Sequence, residues 1–232
     1  MEDRILKIIT NEELQIIKNL KVLIIGVGGV GGYVLESLVR SGVNNITIVD
    51  KDKIDASNLN RQIITLESNI NKSKVEEAKK RALEIRSDIN IKTIEVFLTS
   101  DNLNEYISGD SYDYIVDACD TVTVKLALIK YAKENGINII TCLGTGNRLN
   151  PEELTITTLD KTYNDPLGKV LRKLVKEANI KGKITVLWSK ETPIKIKERT
   201  PGSMIFVPAS AGILISSYII RKEIGKLWVW LV

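Results

Sequence analysis

The chain has 232 residues, of which 44% are hydrophobic and 27% charged, and its formal net charge at neutral pH is +4. These values are typical of a soluble globular protein with one α/β domain. The chain contains no histidine, which excludes Ser-His-Asp and Cys-His triads and histidine-based zinc sites. Its two cysteines, Cys119 and Cys142, are too few for a disulfide framework or a cysteine-rich zinc site.

No stretch of the sequence has the pattern of a targeting or membrane segment. Charged residues already occur within residues 1–4, so no secretory leader is expected. The longest nearly apolar window, residues 204–220, contains Pro208 and several serines and is too short and too polar to span a bilayer. We therefore expect a cytoplasmic protein without a membrane partner.

Hydrophobic periodicity predicts that strands alternate with helices over residues 1–150. The predicted strands cover residues 22–25, 46–49, 90–96, 112–116 and 137–141. The predicted helices cover residues 11–19, 33–40, 72–86, 101–107 and 122–135. This alternation is typical of a doubly wound, mostly parallel α/β sheet, and ligands of such sheets bind beyond the carboxyl ends of the strands.

A glycine-rich loop follows the first predicted strand. Gly26, Gly28 and Gly31 have the spacing G-x-G-x-x-G, and Asp50 ends the second predicted strand. In a βαβ unit these glycines let a phosphate approach a helix N-terminus, while the carboxylate binds ribose hydroxyls. The motif alone is weak and would first suggest NAD. The additional Gly29 argues against a dinucleotide.

A polar cluster after the second predicted strand favours a triphosphate. It contains Asp52, Asn58, Arg61 and Gln62. A dinucleotide site has no obvious use for Arg61 and Asn58 here, whereas a triphosphate site has. Arg61 can pair with a phosphate through two hydrogen bonds, and Lys74, near the start of the next helix, can supply a point charge. A solvated helix lysine is an equally weighted interpretation of Lys74.

Acidic and thiol side chains follow the fourth and fifth predicted strands. Asp120 lies just past the fourth strand, where a carboxylate would hold Mg²⁺ on a triphosphate. Asp117 is interpreted as structural, and Cys119 as buried. Cys142 has no histidine or other obvious base beside it, so a catalytic thiol is not expected.

The pattern changes after residue 150. We predict an edge strand, a helix with Pro166 near its start, two short strands, a loop and an apolar helix, at residues 154–159, 165–177, 184–188, 194–197, 200–203 and 209–222. The apolar tail, residues 227–232, is predicted to pack against the protein or a second copy. The prediction is one domain, residues 1–232, in which a Rossmann-like nucleotide-binding part (1–150) is followed by additional strands and a packed helix (151–232).

Positive charge is concentrated in residues 161–200, which contain 11 lysines and arginines and 4 acidic residues. Such a segment suggests a polyanionic partner. The alternative is a solvated lysine-rich surface, which charge alone favours. Arg172 and Lys176 are spaced to share one face of the predicted helix.

The motifs of the first part resemble the ubiquitin-activating-enzyme-like adenylating superfamily, which includes enzymes that adenylate sulfur-carrier proteins. They are GVGGVG at 26–31, DKD at 50–52, NLNRQ at 58–62, Lys74 and DACD at 117–120. The motifs of the second part resemble the tRNA threonylcarbamoyladenosine dehydratase family. They are GTGNR at 144–148, NP at 150–151, DPL at 165–167, WSKE at 188–191 and TPGS at 200–203.

The resemblance implies ATP-dependent cyclisation of threonylcarbamoyladenosine, beside the tRNA anticodon, to its hydantoin form through an adenylate of the threonyl carboxylate. The candidate ATP-binding residues are Gly26, Gly28, Gly29, Gly31, Asp50, Asp52, Asn58, Arg61, Gln62, Lys74 and Asp120, the last of which would hold Mg²⁺. The candidate catalytic residues are Arg4, Arg61, Lys74 and Asp120. No zinc is implied, because the C-x-x-C pairs usual in sulfur-carrier adenylating enzymes are absent from the sequence.

The resemblance also implies partners. Family members are homodimers in which an N-terminal arginine, matched here by Arg4, reaches the partner's ATP. Residues 151–232 would face the tRNA and the second subunit, and the basic segment would contact tRNA phosphates. A monovalent cation and a sulfur-transfer protein as partner are left open.

Two other functions compete with this interpretation. The first is adenylation of the C-terminal Gly-Gly of a ubiquitin-like sulfur carrier, against which the missing zinc cysteines and the basic segment count. The second is a regulatory nucleotide-binding module without turnover, against which Arg61, Lys74 and Asp120 count.

Overall fold

The computed structural model describes residues 2–198 and 200–226. Within these ranges the strands are β1 (Lys21–Ile25), β2 (Asn45–Val49), β3 (Asn90–Ile94), β4 (Tyr114–Asp117), β5 (Asn138–Cys142), β6 (Leu154–Thr158) and β7 (Thr185–Ser189). The α-helices are α1 (Glu2–Ile5), α2 (Asn11–Asn19), α3 (Gly31–Arg40), α4 (Lys74–Ile85), α5 (Leu103–Ile107), α6 (Val122–Glu134), α7 (Pro166–Glu177) and α8 (Phe206–Glu223). The predicted tail at 227–232 lies outside the described residues.

The strands form one sheet in the order β3-β2-β1-β4-β5-β7-β6. Neighbouring strands are parallel except for β6 and β7, which are antiparallel. The chain passes from β1 outward to β2 and β3 and then returns to β4 on the other side of β1, so the strand order reverses between β1 and β4. At such a switch point the loops diverge and leave a crevice at the carboxyl ends of the strands. The predicted doubly wound, mostly parallel sheet is confirmed.

Helices cover both faces of the sheet. Because side chains alternate along a strand, Val22 and Ile24 of β1 enter one apolar cluster, and Leu23 and Ile25 enter the other. The first cluster includes residues of α2, α3, α4 and α8, and the second includes residues of α5, α6 and α7. In the described part of the chain, no helix combines the length and the apolar character that crossing a membrane requires.

Most predicted elements are confirmed within a few residues, and two differ. The predicted strand at 194–197 is wrong: this segment is irregular, and one of its backbone contacts runs from Ile194 N to Asn147 O at 2.7 Å. Helix α8 begins at Phe206 rather than at residue 209, because Pro208 lies in its first turn, where a missing N–H breaks no helical hydrogen bond. Helix α1 was not predicted.

Candidate active site

A cleft of about 330 Å³ opens at the carboxyl ends of β1, β2 and β4, where the strand order reverses. Nine of the eleven candidate ATP-binding residues line it, namely Gly26, Gly28, Asp50, Asp52, Asn58, Arg61, Gln62, Lys74 and Asp120. Gly29 and Gly31 belong to the same loop but do not line the cleft. The structure thus brings together groups from three strand ends, the turn after β2 and the start of α4.

The glycine loop has room for backbone but not for side chains. Gly26 has a φ of +88°, and a Cβ at Gly31 would lie 1.8 Å from the Gly26 carbonyl oxygen, so α3 can approach β1 only with glycine there. A Cβ at Gly29 would lie 3.3 Å from Pro208. The N–H groups of Gly28 and Gly29 have no acceptor among the described residues and lie just before α3. Free N–H groups at a helix N-terminus suit an anion.

Asp50 joins the glycine loop to the neighbouring strand end. One carboxylate oxygen accepts a hydrogen bond from Val27 N at 2.9 Å, and the other accepts one from Asp52 N at 2.9 Å. A carboxylate has about four acceptor positions in all, so capacity remains for ribose hydroxyls. Asp50 therefore fixes the loop and can still bind a sugar.

Lys74 is held at the cleft by an ion pair. Its Nζ lies 2.9 Å from Asp52 Oδ2, and only 7% of its side chain is exposed. The backbone positions both residues, because Lys74 N donates to Asp52 O at 3.0 Å. The interpretation of Lys74 as a solvated helix lysine is therefore wrong, and its ammonium group is available at the cleft wall.

The turn after β2 holds three candidate residues in different ways. Asn58 is buried, and its Oδ1 accepts a hydrogen bond from Asp55 N at 3.1 Å, so it shapes the turn. Arg61 Nη1 donates to Ser57 O at 2.7 Å, which orients the guanidinium and leaves other donors for a ligand. Gln62 is 8% exposed, and its Oε1 has no partner among the residues that the structure describes. A buried amide oxygen in this position can accept a hydrogen bond from a ligand.

A buried ion pair supports the strand ends behind Asp120. Asp117 and Lys125 are fully buried, with Lys125 Nζ 3.0 Å from Asp117 Oδ1 and 2.8 Å from Cys142 O. Burial lowers the pKa of Lys125, but the Asp117 carboxylate outweighs this effect and raises the pKa above its usual value. The contacts of Lys125 with Asp117 and with Cys142 O tie β4 to β5, which agrees with the structural interpretation of Asp117.

Asp120 itself is exposed at the cleft, where its carboxylate accepts a hydrogen bond from Thr121 Oγ1 at 3.3 Å. No cluster of three or more His, Cys, Asp or Glu residues in the described ranges could hold a metal ion. A hard cation such as Mg²⁺ is often held by one or two carboxylates together with substrate phosphates. The donor set at Asp120 fits such a shared site.

Neither cysteine is activated. Burial, followed by the negative charge of Asp117, raises the pKa of Cys119 well above its usual value. Burial raises the pKa of Cys142 to about 12. Raised pKa values favour the protonated thiols at neutral pH, so neither cysteine is activated as a nucleophile.

An apolar wall completes the cleft on the side of β3, and sequence reasoning missed it. Val96, Phe97 and Leu98 follow β3 and line the cleft, and the Lys51 ammonium lies 4.2 Å from the centre of the Phe97 ring. Such a wall suits the face of a nucleobase. The available signal was the position of this segment at a strand end beside Asp50, because such ends converge at one edge of a parallel sheet.

Arg4 does not line the cleft of its own chain. It lies on α1, whose Glu2 pairs with Lys18 at 2.7 Å. Lys18 O accepts a hydrogen bond from Asn44 N at 3.3 Å. Asn44 directly precedes β2, so this contact lies at the amino ends of the strands, on the side of the sheet away from the cleft. The expectation that Arg4 reaches ATP therefore requires a second subunit.

Motifs of the second part meet beside the cleft. Asn147 N donates to Gly202 O, and Gly202 N donates to Asn147 Oδ1, both at 2.7 Å. Asn60 Nδ2 donates to Ser203 O at 2.8 Å, which connects the same loop with the turn that carries Arg61. The loop after β5 and the loop before α8 are thus joined to the cationic side of the cleft.

The fold and the cleft define a nucleotide-binding α/β protein whose site suits several phosphates. The model of the ThiF family matches residues 2–191. The chain belongs to the ThiF family.

Relatives with assigned activities share similarity over most of the chain. The tRNA threonylcarbamoyladenosine dehydratase of Bacillus subtilis is 33% identical over 91% of this chain and 90% of that protein. The Escherichia coli protein of the same name is 34% identical over 85% of this chain and 75% of its own length. The crystal structure of the E. coli dehydratase in complex with ATP has a TM-score of 0.89 and 32% identity to this chain, and the match covers 95% of this chain and 92% of that one.

Proposed function

We propose that this chain is an ATP-dependent tRNA threonylcarbamoyladenosine dehydratase. The observation that carries the proposal is the gathering of nine candidate residues in one cleft. Similarity to dehydratases from two bacteria, which extends over both parts of the chain, supports it. The reaction is the cyclisation of threonylcarbamoyladenosine in tRNA to its hydantoin form, with ATP as the second substrate.

ATP lies across the switch point in this proposal. Its phosphates meet the free N–H groups of Gly28 and Gly29 at the N-terminus of α3. The ribose hydroxyls bind the acceptor positions of Asp50 that the backbone leaves free. The base packs on the wall that includes Phe97.

Arg61 and Lys74 neutralise the phosphates. Arg61 is oriented by the turn that it closes, and Lys74 by Asp52, so neither has to be ordered when ATP arrives. Mg²⁺ would be held between Asp120 and the phosphates, where it would supply additional positive charge during pyrophosphate departure.

The chemistry needs no nucleophile from the protein. A threonyl carboxylate oxygen attacks the α-phosphorus of ATP and pyrophosphate leaves, which gives an acyl-adenylate. A nitrogen of the substrate then attacks the activated carbonyl carbon and loses its proton, and AMP leaves with the former carboxylate oxygen. The nucleoside loses one water in total. Because both nucleophiles belong to the substrate, a chain without histidine can perform the reaction by positioning and charge stabilisation.

The enzyme would act in the cytoplasm as a homodimer. The role that the resemblance implies for Arg4 requires the dimer, because Arg4 does not line the cleft of its own chain and α1 lies near the amino ends of the strands.

Mass spectrometry of tRNA nucleosides tests the proposal. Purified protein is incubated with ATP, Mg²⁺ and tRNA that contains threonylcarbamoyladenosine. We expect the modified nucleoside to lose the mass of one water, with one AMP and one pyrophosphate formed per conversion. A parallel reaction replaces tRNA by a ubiquitin-like carrier ending in Gly-Gly. Unchanged nucleoside together with adenylated carrier would contradict the proposal and favour the sulfur-carrier function.

A further inference from the structure

A second cavity, a groove of about 790 Å³, lies at the C-terminal end of α7. Its floor consists of apolar side chains from α7 and from the residues around it. Its charged lining consists of Arg172, Lys176, Lys181, Lys183 and Asp160, which we call the basic groove. Four cations therefore surround one carboxylate at a concave surface that plays no part in the cleft.

The local fold gathers these cations from separate elements. Arg172 and Lys176 are one helical turn apart and share a face of α7. After α7 the chain reverses through Asn179 and Gly182, which have φ values of +53° and +86°. The reversal leads into β7 and brings Lys181 to the groove that Lys176 lines.

The lysines of the basic groove form no ion pairs with carboxylates of the described residues. Lys176, Lys181 and Lys183 are exposed, and none of them forms an ion pair with a carboxylate in the described part of the chain. By contrast, Lys173 does not line the groove, and its Nζ lies 3.7 Å from Glu177. Unpaired cations that lie close together repel each other, and a bound polyanion relieves this repulsion. Binding also releases counterions from the polyanion, which favours the complex.

We infer that the basic groove binds the phosphate backbone of the tRNA substrate, at a distance from the nucleotide that reacts. The inference rests on the proposed function, which supplies tRNA as the polyanion. Three further cations follow β7, namely Lys190, Lys195 and Lys197. They therefore lie toward the carboxyl ends of the strands, where the cleft opens. Positive charge thus extends from the groove toward the cleft, which suits a long polyanion better than a short acidic peptide.

The two sites are separated by a distance that an RNA can span. Helix α7 begins near the carboxyl ends of the strands, where the cleft opens. Its N-cap residue Asp165 accepts a hydrogen bond at 3.2 Å from Gly144 N, which lies just after β5. The helix ends near the start of β7, about 18 Å away for a helix of 12 residues. The three strand spacings from β1 to β7 add about 14 Å across the sheet. A nucleic acid duplex carries a phosphate charge about every 1.7 Å along its axis, so one tRNA can offer phosphates to both sites.

The test compares two double variants of the same size and charge. Lys176→Ser/Lys181→Ser removes two groove cations, whereas Lys169→Ser/Lys173→Ser removes two cations that do not line the groove. For each variant and the wild type, tRNA affinity is measured between about 50 and about 200 mM salt, and melting curves confirm folding. Each phosphate contact contributes a slope of roughly 0.9 to the logarithmic salt dependence, so loss of two should make the fall in affinity over this range about tenfold smaller for the groove variant. We expect the second variant to behave like the wild type and ATP affinity to be unchanged in both.

The outcomes separate the groove from the proposed function. Equal salt slopes for the wild type and both variants, with normal nucleoside cyclisation, would overturn the groove alone. Equal losses in both variants would also overturn it, because the effect would then follow total charge. Binding of polyglutamate, but not of tRNA, that depends on Lys176 and Lys181 would assign the groove to an acidic protein segment and overturn it. The expected salt dependence without any cyclised nucleoside would support the groove and contradict the proposed function.

Discussion

Asp50, Lys74 and Asp120 are held by the protein to different degrees. Asp50 accepts two backbone hydrogen bonds, and Lys74 forms an ion pair with Asp52. Asp120 is exposed and accepts a hydrogen bond from the neighbouring Thr121 hydroxyl. Substitution of Asp50 or Lys74 would therefore disturb the local structure as well as the binding of a ligand. Asp120 allows chemistry to be separated from folding.

Asp120→Asn should leave folding intact and lower the rate of pyrophosphate release by at least about a hundredfold. The reason is that a neutral amide compensates the charge of a cation on the phosphates poorly. Pyrophosphate release with tRNA as substrate measures the effect. Asp101→Asn, another exposed aspartate that does not line the cleft, is the control. A rate near that of the wild type for Asp120→Asn would remove Asp120 from the site.

The sequence predicts those site residues whose position follows from a strand end or a turn. Asp50, Asp120 and the glycine loop belong to this group, since parallel strands place their carboxyl ends at one edge. Phe97 was missed because the segment after β3 has no motif. Lys125 was missed because its partner Asp117 lies eight residues earlier across a loop, and only the folded structure shows that both are buried.

At the scale of elements, α8 packs closely against α3, the helix that the glycine loop begins. A Cβ at Gly212 of α8 would lie 2.5 Å from the Val30 carbonyl oxygen and 2.7 Å from Tyr33 Cβ. Ser216 Oγ donates to Val34 O at 3.2 Å. The phosphate-binding end of α3 is therefore supported by a helix from the second part of the chain.

Gly212→Ala should lower the free energy of unfolding by about 1–3 kcal/mol, because the two helices must move apart to accept the methyl group. We also expect weaker ATP binding, since Val30 belongs to the glycine loop. Chemical denaturation and calorimetry measure the two effects. Gly109→Ala is the matched control, because a Cβ at Gly109 would have no atom within 4 Å. Equal stability of the two variants would show that the α3–α8 contact relaxes without cost.

A second contact links α3 to α4. Glu36 of α3 accepts hydrogen bonds from Arg81 of α4 at 2.7 and 3.2 Å, and its side chain is 12% exposed. Burial raises the pKa of Glu36, but Arg81 and Arg40 outweigh this effect, so the pKa lies below its ordinary value of 4.5. A carboxyl with a lowered pKa in the folded state stabilises the protein above the pKa of the unfolded state, and this stability is lost as the pH falls through the folded value.

Glu36→Gln should therefore lower the free energy of unfolding near neutral pH by roughly 0.5–1 kcal/mol, since the pair is only partly screened. The difference from the wild type should shrink as the pH falls below about 4.5. Denaturation at about pH 7 and about pH 3.5 measures it. A difference that does not depend on pH would show that Glu36 acts by packing and not by charge.

Elements were predictable where both periodicity and a partner were present. The edge strand at 154–159 was recognised and pairs with β7 along its length. The segment at 194–197 also alternates β-branched and polar residues, but it pairs with no strand in the described structure. A strand depends on hydrogen bonds to another segment, and a single sequence does not show where that segment lies.

At the scale of the whole molecule, the carboxyl ends and the amino ends of the parallel strands carry different functional features. The cleft and the loops of the second part lie at the carboxyl ends of the parallel strands. Helix α1, with Arg4, and the basic groove lie toward the amino ends of the strands. A single chain therefore cannot bring Arg4 to its own cleft without rearrangement. The proposed homodimer places Arg4 of one subunit at the cleft of the other.

Mixed dimers of Arg4→Ala and Asp120→Asn should recover activity that neither variant has alone. In a mixed dimer, the Arg4→Ala subunit keeps Asp120 and receives Arg4 from its partner, so one complete site is restored. Random pairing should give about a quarter of wild-type activity, because half of the dimers are mixed and each has one intact site. Co-expression with two tags and an activity assay measure this. A mixture no more active than its components would show that Arg4 does not act across the dimer.

The central claim, adenylation of the threonyl carboxylate, is tested most directly by following its oxygen. The tRNA substrate is prepared with ¹⁸O in both carboxylate oxygens and incubated with protein, ATP and Mg²⁺, and the products are analysed by mass spectrometry. The account predicts one labelled oxygen in the phosphate of AMP and the other in the cyclic nucleoside. Cyclised nucleoside accompanied by unlabelled AMP, or ATP cleaved to ADP and unlabelled phosphate, would contradict the account.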